Sequence, residues 1–149
     1  MLRHTRRALA TKVIIPRHRD AIHLQKNNTL ADASCVASRG GTVVHASVSW
    51  RWASGEDALY FTGGGAPLHV DFRHPSSAAG LPPTTASGRE NVRASNQEIL
   101  AARNIDRALR PRFHGDGFLE TVRVDVEVAS SDGDGDVITL GANAASCAL

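Results

Sequence analysis

Aromatic residues are scarce in this 149-residue chain, with two Trp, one Tyr and four Phe making up 5% of it. The interior must therefore be assembled from Val, Ile, Leu and Ala among the 42% of apolar positions, as in an ordinary globular domain. Cysteine is nearly absent too. Cys35 and Cys147 stand far apart, in no C-x-x-C and with no histidine at ligand spacing, which argues against a disulfide framework and a structural zinc site. Both are expected to be buried, reduced thiols. No apolar run approaches the roughly 20 residues of a membrane-spanning helix. There is no P-loop, no G-x-G-x-x-G and no H-E-x-x-H, and none of the seven histidines pairs with Ser, Cys or Asp in the order of a nucleophilic triad. Asp132, Asp134 and Asp136 sit on a glycine turn, but an EF-hand loop needs Gly and Glu where Val137 and Asn143 stand. These carboxylates are expected to be a solvated turn and a helix cap.

Acidic residues are missing from the beginning of the chain. Residues 1–19 hold six of the 17 Lys and Arg and none of the 15 acids, which leaves 11 bases against 15 acids in the remainder and hides the asymmetry within a net charge of +2. An acid-free start with Arg3, Arg6, Arg7 and Lys12 among apolar residues has the composition of an organellar transit peptide, with a basic tail or nucleic-acid-binding arm as the alternative. The expected organisation is thus a leader or tail over 1–19 and one domain over 20–149, since 149 residues suffice for one core and not for two.

Along that domain the pattern changes period. Strand signals fill residues 12–52: Ala21–Gln25 alternates, Ala33–Arg39 is a small-residue strand, and the Gly40-Gly41 hairpin leads into Thr42–Trp52. Trp50 and Trp52 are expected in packing rather than base stacking. Glycine-rich residues 53–67 suggest a surface loop, Leu68–Phe72 restores alternation, and 73–92 reads as a long loop of the kind that is usually functional. Ser95 and Glu98 then form a capping box before a helix that Pro111 ends. Its core sector is expected to hold Ala101, Ala102, Ile105, Ala108 and Leu109. The alternation of Val122, Val124, Val126 and Val128 with charged residues marks a strand, and Asp134 or Asp136 caps a final small-residue helix that runs to Leu149.

On the first of these helices Arg103, Arg107 and Arg110 fall at i, i+4 and i+7 and so line one side. Such a stripe can be a solvated face partly neutralised by Asp106. Arg89 and Arg93 in the preceding loop bring the number of arginines between 89 and 110 to five, and the guanidinium fork suits phosphate oxygens. These five are the candidate RNA-binding residues.

The helix segment resembles that of polynucleotide phosphorylases. Glu98, Leu100, Arg103, Ile105, Asp106, Arg107, Arg110, Pro111 and Phe113 occupy the positions of an E-x-L-x-x-R-x-I-D-R-P-I-R-P-L-F pattern. Leu30–Ala33 through Gly41–Val44 is similar to the family's A-D-G-A hairpin, Pro67–Arg73 with Ala78–Gly80 to its P-L-T-V-D-Y-x-E and A-A-G, and the acidic turn with the last helix to its S-x-D to A-S-A-A-L region. The match runs in order from about residue 21 to 149.

The resemblance implies an α+β, ribonuclease PH-like (ribosomal protein S5 domain 2-like) mixed sheet with helices on one side, here the N-terminal portion of the first core domain and incomplete at its C-terminus. It implies 3′ to 5′ phosphorolysis of RNA in a trimeric ring that sets six such domains around a central RNA channel, with Mg2+ as the metal and inorganic phosphate as co-substrate. This chain would supply architecture and RNA contacts, its partners being RNA and other ring subunits, and a separate chain is one way to supply the second core domain. No catalytic residue and no metal ligand is expected within it, and no membrane contact. The family's F-F-R-R channel pattern aligns with Ser87, Gly88, Arg89 and Glu90, so both aromatics are replaced. That replacement favours the alternative of a catalytically inactive RNA-binding or scaffold subunit in an organellar particle. A ribonuclease PH or exosome-type ring subunit shares the fold without the Ile-Asp-Arg wording. The expected location is mitochondrial, with a plastid as the alternative.

Overall fold

A computed structural model describes residues 12–15, 22–26, 31–52, 68–82, 94–113 and 120–149. Six strands form one sheet: β1 Lys12–Ile15, β2 Ile22–Lys26, β3 Ala33–Arg39, β4 Thr42–Trp52, β5 Leu68–Arg73 and β6 Glu120–Ser130. Two α-helices accompany it, α1 Asn96–Leu109 and α2 Val137–Ala148. Lys12–Ile15, within the stretch expected as leader or tail, pairs antiparallel with β2.

The spatial order is β1-β2-β3-β4-β6-β5. The first four strands are the antiparallel meander that the alternation predicts, turned between β3 and β4 by Gly40 at φ +58°, a left-handed conformation that costs glycine little. β6 lies antiparallel to β4, with the register slipping between Val43 and Val44. β5 runs parallel to β6 at the edge, so the sheet is mixed and α1 is the crossover that a parallel neighbour requires.

Register explains the layering. Val44 faces Val128, Ala46 faces Val126, Val48 faces Val124, and Phe72 faces Val126 from the other side. These side chains are buried, with Ile105 and Leu109 of α1 and Leu140, Ala144 and Ala145 of α2 completing the same core. Each fully buried Val contributes on the order of 1.5–3 kcal/mol relative to exposure, and β6 contributes Val122, Val124, Val126 and Val128. Both helices cover this one face. At Gly141 a Cβ would meet Val126 Cγ1 at 3.0 Å and Ile105 Cδ1 at 3.4 Å, so glycine is what lets α2 settle against the sheet and α1 at once. On the opposite face Arg123 donates to Asp125 at 2.9 Å and to Asp71 at 3.0 Å.

Local departures from the sequence expectation are small. Ser76–Ala79, inside the stretch expected as loop, makes a 3-10 turn whose Ala78 is buried and accepts from the Ser131 N–H at 2.9 Å. Ala108 is exposed instead of buried, because it lies at the margin of the α1 core sector, next to the solvent side. Trp50 is 40% exposed at the end of β4, and Asp32 accepts from its backbone N–H at 2.9 Å. Cys35 is buried and Cys147 half-buried, both free thiols.

Candidate nucleic-acid interface

α1 owes its position to contacts at both ends. Ser95 Oγ accepts from the Glu98 N–H at 3.2 Å, and Glu98 accepts from the Ser95 N–H at 2.6 Å, which is the capping box read in the sequence. The other Glu98 oxygen accepts from the His74 N–H at 2.8 Å, fastening the helix start to the end of β5. Burial pushes the Glu98 carboxyl up, but the His74 and Ser95 N–H groups outweigh it and hold the carboxyl below its ordinary range. At the far end Arg110 donates to both Asp106 oxygens, at 2.9 and 2.7 Å, and to the Leu68 carbonyl at 3.2 Å. The Asp106 fork raises the Arg110 pKa, against burial.

Fixed in this way, α1 buries Ala101, Ile105 and Leu109 and turns Arg103 and Arg107 to solvent. Among the described residues no ion pair engages either of them. The three arginines of the stripe thus separate by role. Arg110 is committed to Asp106 and β5, with its side chain still 42% exposed, while Arg103 and Arg107 are open to an external anion. Arg112, just past Pro111 in a 3-10 turn, is also exposed. Arg89 and Arg93 lie outside the described residues. Beside Arg103, a shallow groove of about 270 Å³ runs between α1 and the edge strand, bordered by His69, Asp71, Ile99, Ala102 and Asp106.

The acidic turn has another use. Asp132 accepts from the Gly41 N–H at 2.8 Å, the Thr42 hydroxyl at 2.7 Å and the Asp134 N–H at 3.1 Å. Those contacts, the Thr42 hydroxyl foremost, hold its pKa down to about 2. Asp136 caps α2, accepting from Ile138 N–H at 3.0 Å and from Thr139 N–H and hydroxyl. With these oxygens occupied, the turn does not fit a resident Mg2+, and the described residues bring no three His, Cys, Asp or Glu side chains together as a metal site. The Asp132 lock, which joins the β3–β4 hairpin to the β6–α2 turn, has no local signature in the sequence.

A mixed six-stranded sheet backed on one face by two helices, the first of them carrying an arginine-bearing edge, defines an α+β core domain. Residues 21–149 match the family model of the 3' exoribonuclease family, domain 1 (RNase_PH), and the chain belongs to that family. Within it, the chain is a ribonuclease PH-like core domain of the polynucleotide phosphorylase type. It is 44% identical over 120 residues to a polyribonucleotide nucleotidyltransferase of Chlorobium limicola and 41% identical over 120 residues to that of Chlorobaculum tepidum. In both alignments 80% of this chain is covered, and the chain spans 15% of the length of these curated relatives. Among solved structures, a chain of the Archaeoglobus fulgidus exosome with RNA bound to the active site has a TM-score of 0.62 at 20% identity, covering 85% of this chain and 49% of that one. Rice (Oryza sativa) Rrp46 has a TM-score of 0.54 at 19% identity, covering 86% and 54%. These two likenesses show the fold.

Proposed function

We propose that this domain works in 3′ to 5′ phosphorolytic RNA degradation as the first core domain of a polynucleotide phosphorylase, supplying ring architecture and a cationic edge that holds RNA. The observation that carries the reading is the separation of roles along α1: Arg110 is spent on the fold, whereas Arg103 and Arg107 project from a helix clamped at both ends. Two fixed, always-charged forks suit successive phosphates of a strand, and Arg89 and Arg93, just before the helix in sequence, extend the set. The Archaeoglobus fulgidus exosome, whose chain shares this fold, holds RNA at its active site, which supports RNA as the ligand here.

In the reaction, inorganic phosphate attacks the phosphorus of the 3′-terminal phosphodiester, the bond to the preceding 3′ oxygen breaks, and a nucleoside diphosphate leaves. Such chemistry depends on positioning and charge stabilisation more than on a covalent nucleophile. The groups that act on the reacting phosphate, and the family's Mg2+, belong to a second core domain, whether on this polypeptide or a separate one, in a trimeric ring. The arginine-rich beginning of the chain supports a mitochondrial transit peptide, and β1 supports ending that segment before Lys12.

The test is release of nucleoside diphosphates from a 3′-hydroxyl RNA by the chain together with everything that co-purifies with it. Activity that requires inorganic phosphate is expected. The replacement of the family's channel aromatics by Ser87 and Gly88 favours one other reading, an inactive RNA-binding scaffold. RNA bound without phosphate-dependent release would establish that reading instead.

A further inference from the structure

β5 closes one edge of the sheet, parallel to β6 and with no register break from Leu68 to Arg73. α1 holds its outer side at two points: the Leu68 carbonyl accepts from Arg110 at 3.2 Å, and the His74 N–H donates to Glu98 at 2.8 Å. Backbone groups alternate in direction along a strand, so Val70 and Phe72, in step with Leu68 and His74, also aim their N–H and C=O groups out of the sheet. No proline, lysine or bulge blunts this stretch, as exposed edges are normally blunted. The groove beside Arg103 lies along it, with Leu68 to Asp71 as one wall and Ile99, Ala102, Arg103 and Asp106 of α1 as the other. Ile99 is 41% exposed there. Of the charges on the border, Asp106 is taken by Arg110 and Asp71 by Arg123, which leaves the Arg103 guanidinium uncommitted.

Geometry selects the occupant. A second copy meeting β5 edge to edge would bring two α1 helices to the strand spacing of about 4.8 Å, because α1 packs on β5 itself, and packed helices need roughly 8–10 Å. The phosphates of RNA offer acceptors, which cannot serve outward carbonyls. An extended peptide supplies N–H and C=O in alternation at the repeat of the strand and brings no helix of its own. We infer that the open edge of β5 is a docking site for a short extended segment of another polypeptide. The segment adds to the sheet beside β5, with an apolar side chain on Ile99 and Ala102 and a carboxylate on Arg103. The stretch from Leu68 to His74 is about 20 Å long at the rise of a strand, room for about five residues. Main-chain bonds hold the segment and its alternate side chains select it, as in strand addition generally. Occupancy of this edge is independent of RNA, although both ligands use Arg103.

A fluorescein-labelled Val-Thr-Glu-Thr-Val peptide, which reads the same in either strand direction, is the probe, titrated by anisotropy against the full-length chain at low salt without RNA. Saturable binding is expected, together with slowed hydrogen exchange at the Val70 and Phe72 amides. Methylating the peptide nitrogens, which removes the main-chain donors and leaves the side chains, should weaken binding about tenfold or more. Val-Thr-Lys-Thr-Val should bind the parent more weakly than the Glu peptide and the Arg103→Glu variant more strongly, a reversal that lost folding would not produce. The proposal is overturned if no saturable binding occurs up to about 1 mM, if the methylated peptide binds equally well, or if the Val70 and Phe72 amides stay unprotected. Protection of those two amides by a single-stranded RNA, or by raising the concentration of the chain alone, would assign the edge to RNA or to a second copy instead.

Discussion

Thr42 and Asp132 show how much rests on one short contact between distant positions. The Thr42 side chain is fully buried and donates to Asp132 at 2.7 Å, and Gly135 packs so tightly on it that a Cβ there would lie 2.9 Å from its oxygen. A Thr42→Val substitution keeps the shape and removes the donor, so we expect a loss of about 1–2 kcal/mol in denaturant unfolding; unchanged stability would mean that the hairpin and the acidic turn are held by packing alone. The same contacts set the response to acid. Asp132, Asp136 and Glu98 are all held below their ordinary values, so the unfolded chain binds protons that the folded one refuses. Their stabilisation is complete above the ordinary carboxylate range and is lost as pH falls through the folded values. Urea midpoints should therefore drop between about pH 4.5 and about 2, and a flat profile there would contradict these hydrogen bonds. The capping roles of Glu98 and Asp136 were legible beforehand, but the Asp132 lock was not: the sequence marks Asp132 as a turn residue, and no local pattern links it to a threonine on the β3–β4 hairpin.

At the scale of elements, what repeats locally could be read and what pairs at a distance could not. The capping box of Ser95 and Glu98 and the valine alternation of β6 declare themselves because helix capping and strand amphipathicity are set by residues a few positions apart. The parallel placement of β5 beside β6 has no such local code, and the family resemblance implied only that the sheet is mixed. Ala108 was misplaced because helix periodicity gives a direction, not the width of the surface that covers it. Small-residue packing of α2 was anticipated, and the structure supplies its reason at Gly141. A Gly141→Val variant must push Val126 and Ile105 aside, and we expect a loss of roughly 1–3 kcal/mol despite the better helix propensity of Val. A variant as stable as the parent would show that α2 can lift from the sheet without cost.

For the whole molecule, the fold turns the Arg103 and Arg107 side of α1 outward while Ala101, Ile105 and Leu109 are buried against the sheet. The arginine stripe was legible as a stripe, but the sequence could not tell which guanidinium stays free. That depends on Asp106 and the Leu68 carbonyl, which α1 brings to Arg110 alone. The most direct measurement is the affinity for a single-stranded RNA as a function of salt, comparing the parent with Arg103→Ala/Arg107→Ala in the same oligomeric assembly. If these forks hold phosphates, the double variant binds about tenfold or more weakly at low salt, its log–log salt slope falls by roughly 1.4, and its thermal stability is unchanged. Equal affinity and equal slope in the two proteins would contradict the account.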